Sequence, residues 1–208
     1  MKEKDKYVKQ IDQGGELESP FYSDIQFDRL YPAKIQQLSS RHWTPLHIAK
    51  KAARFLAAES GVRILDIGSG IGKFCLSAAP LRPRAFFYGV EQRSYLVYNA
   101  DKIRSLLGIQ NVSFRHCNFT QLDFRDYDHF YFYNSFYENL VGTDKIDHSI
   151  YYSEGLYQYY NRYLYQQLEK MPTGTKLATF HSLEEEVPRS YQVVHMEGNT
   201  QLKFWMKV

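Results

Sequence analysis

Cysteine is scarce in this 208-residue chain, with Cys75 and Cys117 the only two. Two cysteines are too few for a disulfide framework, and these form no closely spaced metal-ligand pair. Both are expected to be reduced thiols in apolar surroundings, which suits a cytoplasmic protein. Long apolar runs are also missing: no stretch approaches the ~20 residues that a membrane-spanning helix needs. The opening MKEKDKYVKQ is polar and has no apolar centre, so it reads as an exposed lead-in rather than a secretory signal. Excess charge of one sign is lacking as well. A net charge of +3 is too small to imply a nucleic-acid partner, although it leaves room for a local basic patch.

What the chain does have is an apolar fraction of 44% beside a charged fraction of 24%, the balance of a globular protein. It also has 18 tyrosines, eleven of them between Tyr127 and Tyr165. Tyrosine joins an apolar ring to a polar tip, so such a stretch suits either a half-buried helix face or the wall of a binding cleft.

Strand and helix signals alternate along the chain. Residues 1–20 read as a mobile arm, residues 23–38 as a short helix interrupted by Pro32, and Ser39–Pro45 as a loop. Thr44 can cap a helix that starts at Pro45 and that Gly61 stops. Apolar runs at Val62–Ile67, Ala85–Glu91, Asn111–Cys117, His129–Asn134 and Lys176–His181 read as buried parallel strands. Helices are expected at Gly72–Ala79, Tyr95–Leu107 and Ser149–Glu169, with a short turn or helix at Thr120–Arg125. The strands Tyr191–Met196 and Gln201–Val208 close the chain as a hairpin around Glu197-Gly198-Asn199-Thr200. The fold expected is α/β, a Rossmann-like three-layer sandwich. Its sheet is seven-stranded and mostly parallel, with one antiparallel strand in the C-terminal hairpin. Residues 1–43 form an N-terminal arm and helical segment, and residues 44–208 the main domain.

The most informative segment is Ile64-Leu65-Asp66-Ile67-Gly68-Ser69-Gly70-Ile71-Gly72-Lys73-Phe74, a strand running through three alternate glycines into a helix. Glycine lets the backbone turn sharply and approach a ligand without a Cβ in between. Dinucleotide folds prefer G-x-G-x-x-G with a pyrophosphate at the helix start. Here the spacing is tighter, and Asp66 stands just before the turn. A carboxylate would repel a pyrophosphate but attract an ammonium group. Glu91 closes the second strand, 19 residues after Gly72, where an acid can accept hydrogen bonds from both hydroxyls of a ribose.

Asp66-x-Gly68-x-Gly70-x-Gly72 followed by Glu91 resembles the class I S-adenosylmethionine-dependent methyltransferases, and the likeness extends over residues 44–208. It implies that Gly68, Ser69, Gly70 and Gly72 pack against the methionyl part of S-adenosyl-L-methionine, with Glu91 on its ribose. Asn118 and Phe119 take the place of the residues that meet the adenine, Asn118 where many relatives carry Asp. Thr44 is expected either to touch the cofactor carboxylate or to cap its helix. In amine-methylating branches, Asn or Asp, then Pro-Pro, then an aromatic residue follow strand four. Asn134 and Tyr137 stand there without the prolines, which inclines the reading toward a nitrogen acceptor. The same loop is loosely similar to that of Dot1-type lysine methyltransferases.

A general base, if one is needed, would come from Glu138, His148 or His181. Glu184-Glu185-Glu186 reads as a solvated face, and no metal is expected. The acceptor is a small molecule or a protein side chain, nucleic acid being the less expected partner, and no membrane is involved. Two other readings stand beside this one. A non-catalytic scaffold would not need both an intact glycine loop and Glu91. An NAD-linked oxidoreductase fits neither the glycine spacing, nor Asp66, nor the final hairpin.

Overall fold

The computed structural model describes residues 19–182, 184–198 and 201–208. Most of the expected arm, and two residues of the closing turn, lie outside those described. Seven strands form one sheet: β1 (Arg63–Ile67), β2 (Phe86–Glu91), β3 (Val112–His116), β4 (His129–Tyr133), β5 (Lys176–Phe180), β6 (Tyr191–Glu197) and β7 (Leu202–Lys207). Their order is β3-β2-β1-β4-β5-β7-β6. The pairs from β3 through β5 are parallel, and β7 runs antiparallel to both of its neighbours. The expected architecture is therefore present, with β7 as its one reversed strand.

Side chains alternate across a strand, so each central strand feeds two cores. Ile64, Tyr131 and Ala178 enter one and Leu65, Phe130 and Leu177 the other. The first core is covered by α4 (Leu46–Leu56), α5 (Lys73–Ala78) and α6 (Ser94–Leu106). The second lies under α7 (Glu154–Glu169), which buries Tyr160, Leu164 and Leu168 at helical spacing. Two short 3₁₀ turns, Phe119–Gln121 and Phe124–Asp126, complete that cover.

The N-terminal part differs in detail from the sequence reading. Pro32 separates two short helices, α1 (Asp24–Asp28) and α2 (Ala33–Gln36). Part of the expected loop after them is a helical turn, α3 (Ser39–His42). Phe27, Tyr31, Ile35 and Trp43 are all buried in the first core, so these helices pack as part of the fold. Thr44 does not cap α4, because its hydroxyl pairs with the Tyr131 hydroxyl at 3.1 Å. The Leu46 amide instead donates to the Asp24 carboxylate at 2.9 Å, a cap supplied from another helix. The helix ends at Leu56, before Gly61, whose amide donates to the Arg84 carbonyl. Helix α7 begins at Glu154 rather than Ser149, because Ser153 takes the N-cap and accepts from the Leu156 amide at 3.1 Å. No helix of the described residues is long and apolar enough to cross a membrane.

Candidate active site

Strand order reverses between β1 and β4, and a crevice opens at the C-terminal ends of such strands. A cleft of about 730 Å³ lies there, within the size range of small-molecule sites. Its wall includes Thr44, Asp66, Gly68, Ser69, Gly70, Glu91, Phe119, Asn134 and Tyr137. Gly72 and Asn118 are not part of that wall.

The loop between β1 and α5 forms as the glycines dictate. Gly68, Gly70 and Gly72 all have positive φ, at 74°, 53° and 75°. A Cβ on Gly68 would sit 2.3 Å from the Ser135 Cβ, and one on Gly70 would sit 2.7 Å from the Trp43 ring. The loop is thus clamped between the end of β4 and the N-terminal segment. Ser135 tightens the clamp by donating to the Ile67 carbonyl at 2.7 Å. Tyr31 donates to the Ile71 carbonyl at 2.8 Å. Lys73 is buried and pairs with Asp24 at 2.7 Å and Asp28 at 2.8 Å, which ties α1 to the start of α5.

Two buried carboxyls flank this loop. Burial pushes the Asp66 carboxyl up to about 8; the Cys75 thiol that donates to it opposes the rise, and Glu91 adds to it. Glu91 is raised by burial and held down by Arg93. Its carboxylate accepts from the Gly70 amide at 3.2 Å and from the Arg93 amide at 2.9 Å. The Ser69 hydroxyl oxygen is buried and has no hydrogen-bond partner among the described residues. A buried polar atom without a partner is costly, and this one belongs to a residue of the cleft wall.

Asn134 and His181, which also line the cleft, directly follow β4 and β5 with φ of 37° and 56°. Such backbone is uncommon outside glycine and is concentrated at functional sites. No side-chain hydrogen bond of Asn134 to another described residue occurs, while its carbonyl accepts from the Tyr137 amide in a tight turn. Tyr137 is half exposed at the mouth. Phe119 is buried and stacks on Phe136 with ring centroids 5.0 Å apart.

Asn118, expected at an adenine, spends its side chain locally. Its oxygen accepts from Thr120, and its amide donates to Gln92 at 3.1 Å and to Tyr160 at 2.8 Å. Among the candidate bases, Glu138 is bound to Arg93 at 2.7 Å, His148 lies outside the cleft wall, and His181 faces it. In the acidic run, Glu184 pairs with Lys203 and Glu186 accepts from Tyr157.

Sequence reasoning missed Arg93 and Lys73. Both are cations that the fold buries. The available signal was position: Lys73 directly follows the glycine turn, and Arg93 stands two residues beyond Glu91.

Residues 58–151 match the family model of a methyltransferase domain. A tRNA (guanine-N(7)-)-methyltransferase of Trichormus variabilis is 44% identical over 54 residues, 26% of this chain and 25% of that protein. An uncharacterized protein of Rickettsia prowazekii is 32% identical over 82 residues, 38% of this chain and 15% of that one. The chain therefore spans only a quarter or less of the curated relatives it matches here. Among solved structures, TrmN from Thermus thermophilus aligns with TM-score 0.56 and 18% identity over 77% of this chain and 48% of that one. An RNA methyltransferase from Salinibacter ruber, in complex with S-adenosyl-L-homocysteine, aligns with TM-score 0.54 and 21% identity over 79% and 92%. Residues 58–151, a little under half of the chain, thus match a methyltransferase domain, and the fold is shared with these solved structures.

Proposed function

We propose that this chain is an S-adenosyl-L-methionine-dependent methyltransferase acting on a nitrogen acceptor. The observation that carries the reading is the pair of buried carboxyls, Asp66 and Glu91, flanking a positive-φ glycine loop whose Ser69 hydroxyl lacks a partner among the described residues. That donor set fits the cofactor: an acid for an ammonium group, an acid for ribose hydroxyls, and a glycine turn whose backbone borders the cleft. It suits a pyrophosphate poorly, which disfavours NAD. The Salinibacter ruber neighbour, in complex with S-adenosyl-L-homocysteine, supports the same choice.

When bound, the cofactor supplies a methyl group activated by a sulfonium, so the protein's main work is positioning. Asp66 and Ser69 would hold the amino-acid end, and Gly68 and Gly70 would let it lie against the backbone. Glu91 would take the ribose, and Phe119 would contribute apolar surface near the base. Asn118 is better cast as a turn former that fixes Phe119 than as a base reader. Asn134 would orient the acceptor: its amide can accept from an amino hydrogen or donate to a neighbouring acceptor atom. Tyr137 would cover the site from the mouth.

The small net charge argued against nucleic acid, whereas relatives named as tRNA methyltransferases support keeping it among the acceptors. A cytoplasmic place of action fits two free thiols, one of them buried.

Titration calorimetry with S-adenosyl-L-homocysteine, with NAD as control, tests the cofactor. Saturable binding of the first alone is expected. Binding of neither would leave a scaffold protein, and binding of NAD alone would overturn the reading. Transfer of labelled methyl into separate tRNA, protein and small-molecule fractions then identifies the acceptor class.

A further inference from the structure

Arg93 is a cation almost wholly enclosed by protein, and its partners come from separate parts of the chain. Its guanidinium meets Glu91 at 3.2 Å, Glu138 at 2.7 Å and Asp147 at 3.4 Å. It also donates to the Tyr152 hydroxyl at 2.7 Å. Burying an arginine is tolerated only when its donors find acceptors and its charge is countered; here Nε, Nη1 and Nη2 all donate, and three carboxylates surround the cation.

The partners belong to two separate segments, each of which contributes to the lining of the cleft. Glu91 belongs to the glycine-loop side, since it also accepts from the Gly70 amide. Glu138, Asp147 and Tyr152 belong to the segment of residues 138–152, which follows the Asn134 turn and lines the cleft through Glu138, Ile146 and Tyr152. Within that segment, Glu138 accepts from the Ile146 amide at 2.6 Å, and Tyr152 donates to the Asp147 carbonyl at 2.8 Å. A continuous chain of hydrogen bonds therefore runs from Gly70 through Glu91, Arg93 and Glu138 to Ile146. Arginine suits this task because its planar fork serves several acceptors at once, which a lysine cannot do.

From this geometry we infer that Arg93 is a positioning residue that fastens the strap of residues 138–152, on the acceptor side, to the carboxylate that receives the cofactor ribose. The inference rests on the proposed function for the words acceptor and cofactor, but the latch itself does not depend on them. Occupancy of Glu91 immobilises the Arg93 fork, and through Glu138 it orders the wall against which an acceptor is placed.

Amide hydrogen exchange over residues 138–152 tests the latch, with and without S-adenosyl-L-homocysteine. In the unliganded wild-type protein the strap is protected, and Glu138→Gln raises its exchange while leaving the rest of the sheet unchanged. Glutamine keeps an oxygen for the Ile146 amide, so the variant cuts only the ion pair. With ligand, the wild-type strap gains protection; in Glu138→Gln the ligand still binds and the gain is lost. Affinity should divide in the same way. Arg93→Met weakens binding about tenfold or more, the scale of a lost charge-assisted hydrogen bond, whereas Glu138→Gln changes it by less than about threefold.

A general packing defect would not separate affinity from strap protection. Unchanged strap exchange in Glu138→Gln would overturn the inference. If Arg93→Met does not fold, Glu138→Gln and Tyr152→Phe decide the question. If wild-type protein binds no S-adenosyl-L-homocysteine, the proposed function falls, while the unliganded exchange still decides the latch.

Discussion

The Gly70 amide donates to the Glu91 carboxylate at 3.2 Å, so the glycine loop after β1 and the acid ending β2 form one hydrogen-bonded unit. Each shapes the other before any ligand arrives. This bears on how substitutions at the two places should behave, because a change at Glu91 also removes an acceptor from the loop.

Glu91→Gln is expected to weaken S-adenosyl-L-homocysteine binding by about 1.5–3 kcal/mol, the scale of hydrogen bonds to a charged acceptor. Asp101→Asn, at a surface acid paired with Arg104, should leave the affinity unchanged. Calorimetry on both variants checks the contrast. Equal affinities for Glu91→Gln and wild type would remove Glu91 from the site.

Gly68 and Ser135 meet across the loop, and their coupling can be measured. Gly68→Ala places a methyl 2.3 Å from the Ser135 Cβ at a φ of 74°. It should destabilise by about 1–3 kcal/mol, from backbone strain together with the clash. Gly61→Ala has a similar φ but nothing within 4 Å, so it should show the strain alone. Ser135→Gly removes the obstructing Cβ and should recover part of the loss in Gly68→Ala. A double-mutant cycle by chemical denaturation reads the coupling, and simple additivity would contradict the proposed clash.

Residues 19–43 behave here as part of the fold, and a chain beginning at Thr44 tests this. It would strip Phe27, Tyr31, Ile35 and Trp43 from the first core and remove Asp24 and Asp28, the partners of Lys73. Losing one large buried side chain costs about 3–5 kcal/mol, so losing four is comparable to a domain's whole stability. The expected outcome is loss of a cooperative thermal transition by circular dichroism. A sharp transition in the truncated chain would make residues 44–208 an independent unit.

These cases also show what was legible in the sequence and what was not. The strands were readable because their apolar, aromatic-rich runs are local signals, and the three glycines marked the turn after β1, where the cleft opens. The closing hairpin read correctly for the same reason. What escaped was long-range. The cap of α4 comes from Asp24, 22 positions away, rather than from the adjacent Thr44. Arg93 finds Glu138 and Tyr152 at separations of 45 and 59 residues, and no local pattern encodes such a meeting. Asn118 was ambiguous for a different reason: an amide at a strand end can cap a turn or face a ligand, and only the positions of Thr120 and Tyr160 separate the two.

Asp66 ties stability to pH and, on the proposed function, both of them to binding. Its carboxyl is raised by burial from an ordinary value of 3.8 to about 8. The folded state therefore favours the protonated form more than the unfolded state does. Its contribution to stability is fully present below the ordinary value and is lost as pH rises toward 8. Asp66→Asn removes the titration, so the variant should gain thermal stability relative to wild type across that interval and run parallel to it above. An ammonium group brought beside Asp66 reverses the preference and favours the ionised form. Binding of S-adenosyl-L-homocysteine at neutral pH should then release up to about one proton from Asp66 in wild type and none from the Asn variant. Calorimetry in buffers of different ionisation enthalpy measures that difference directly. Proton release that is the same in both proteins would mean that the ammonium group is not held by Asp66, whatever the affinity.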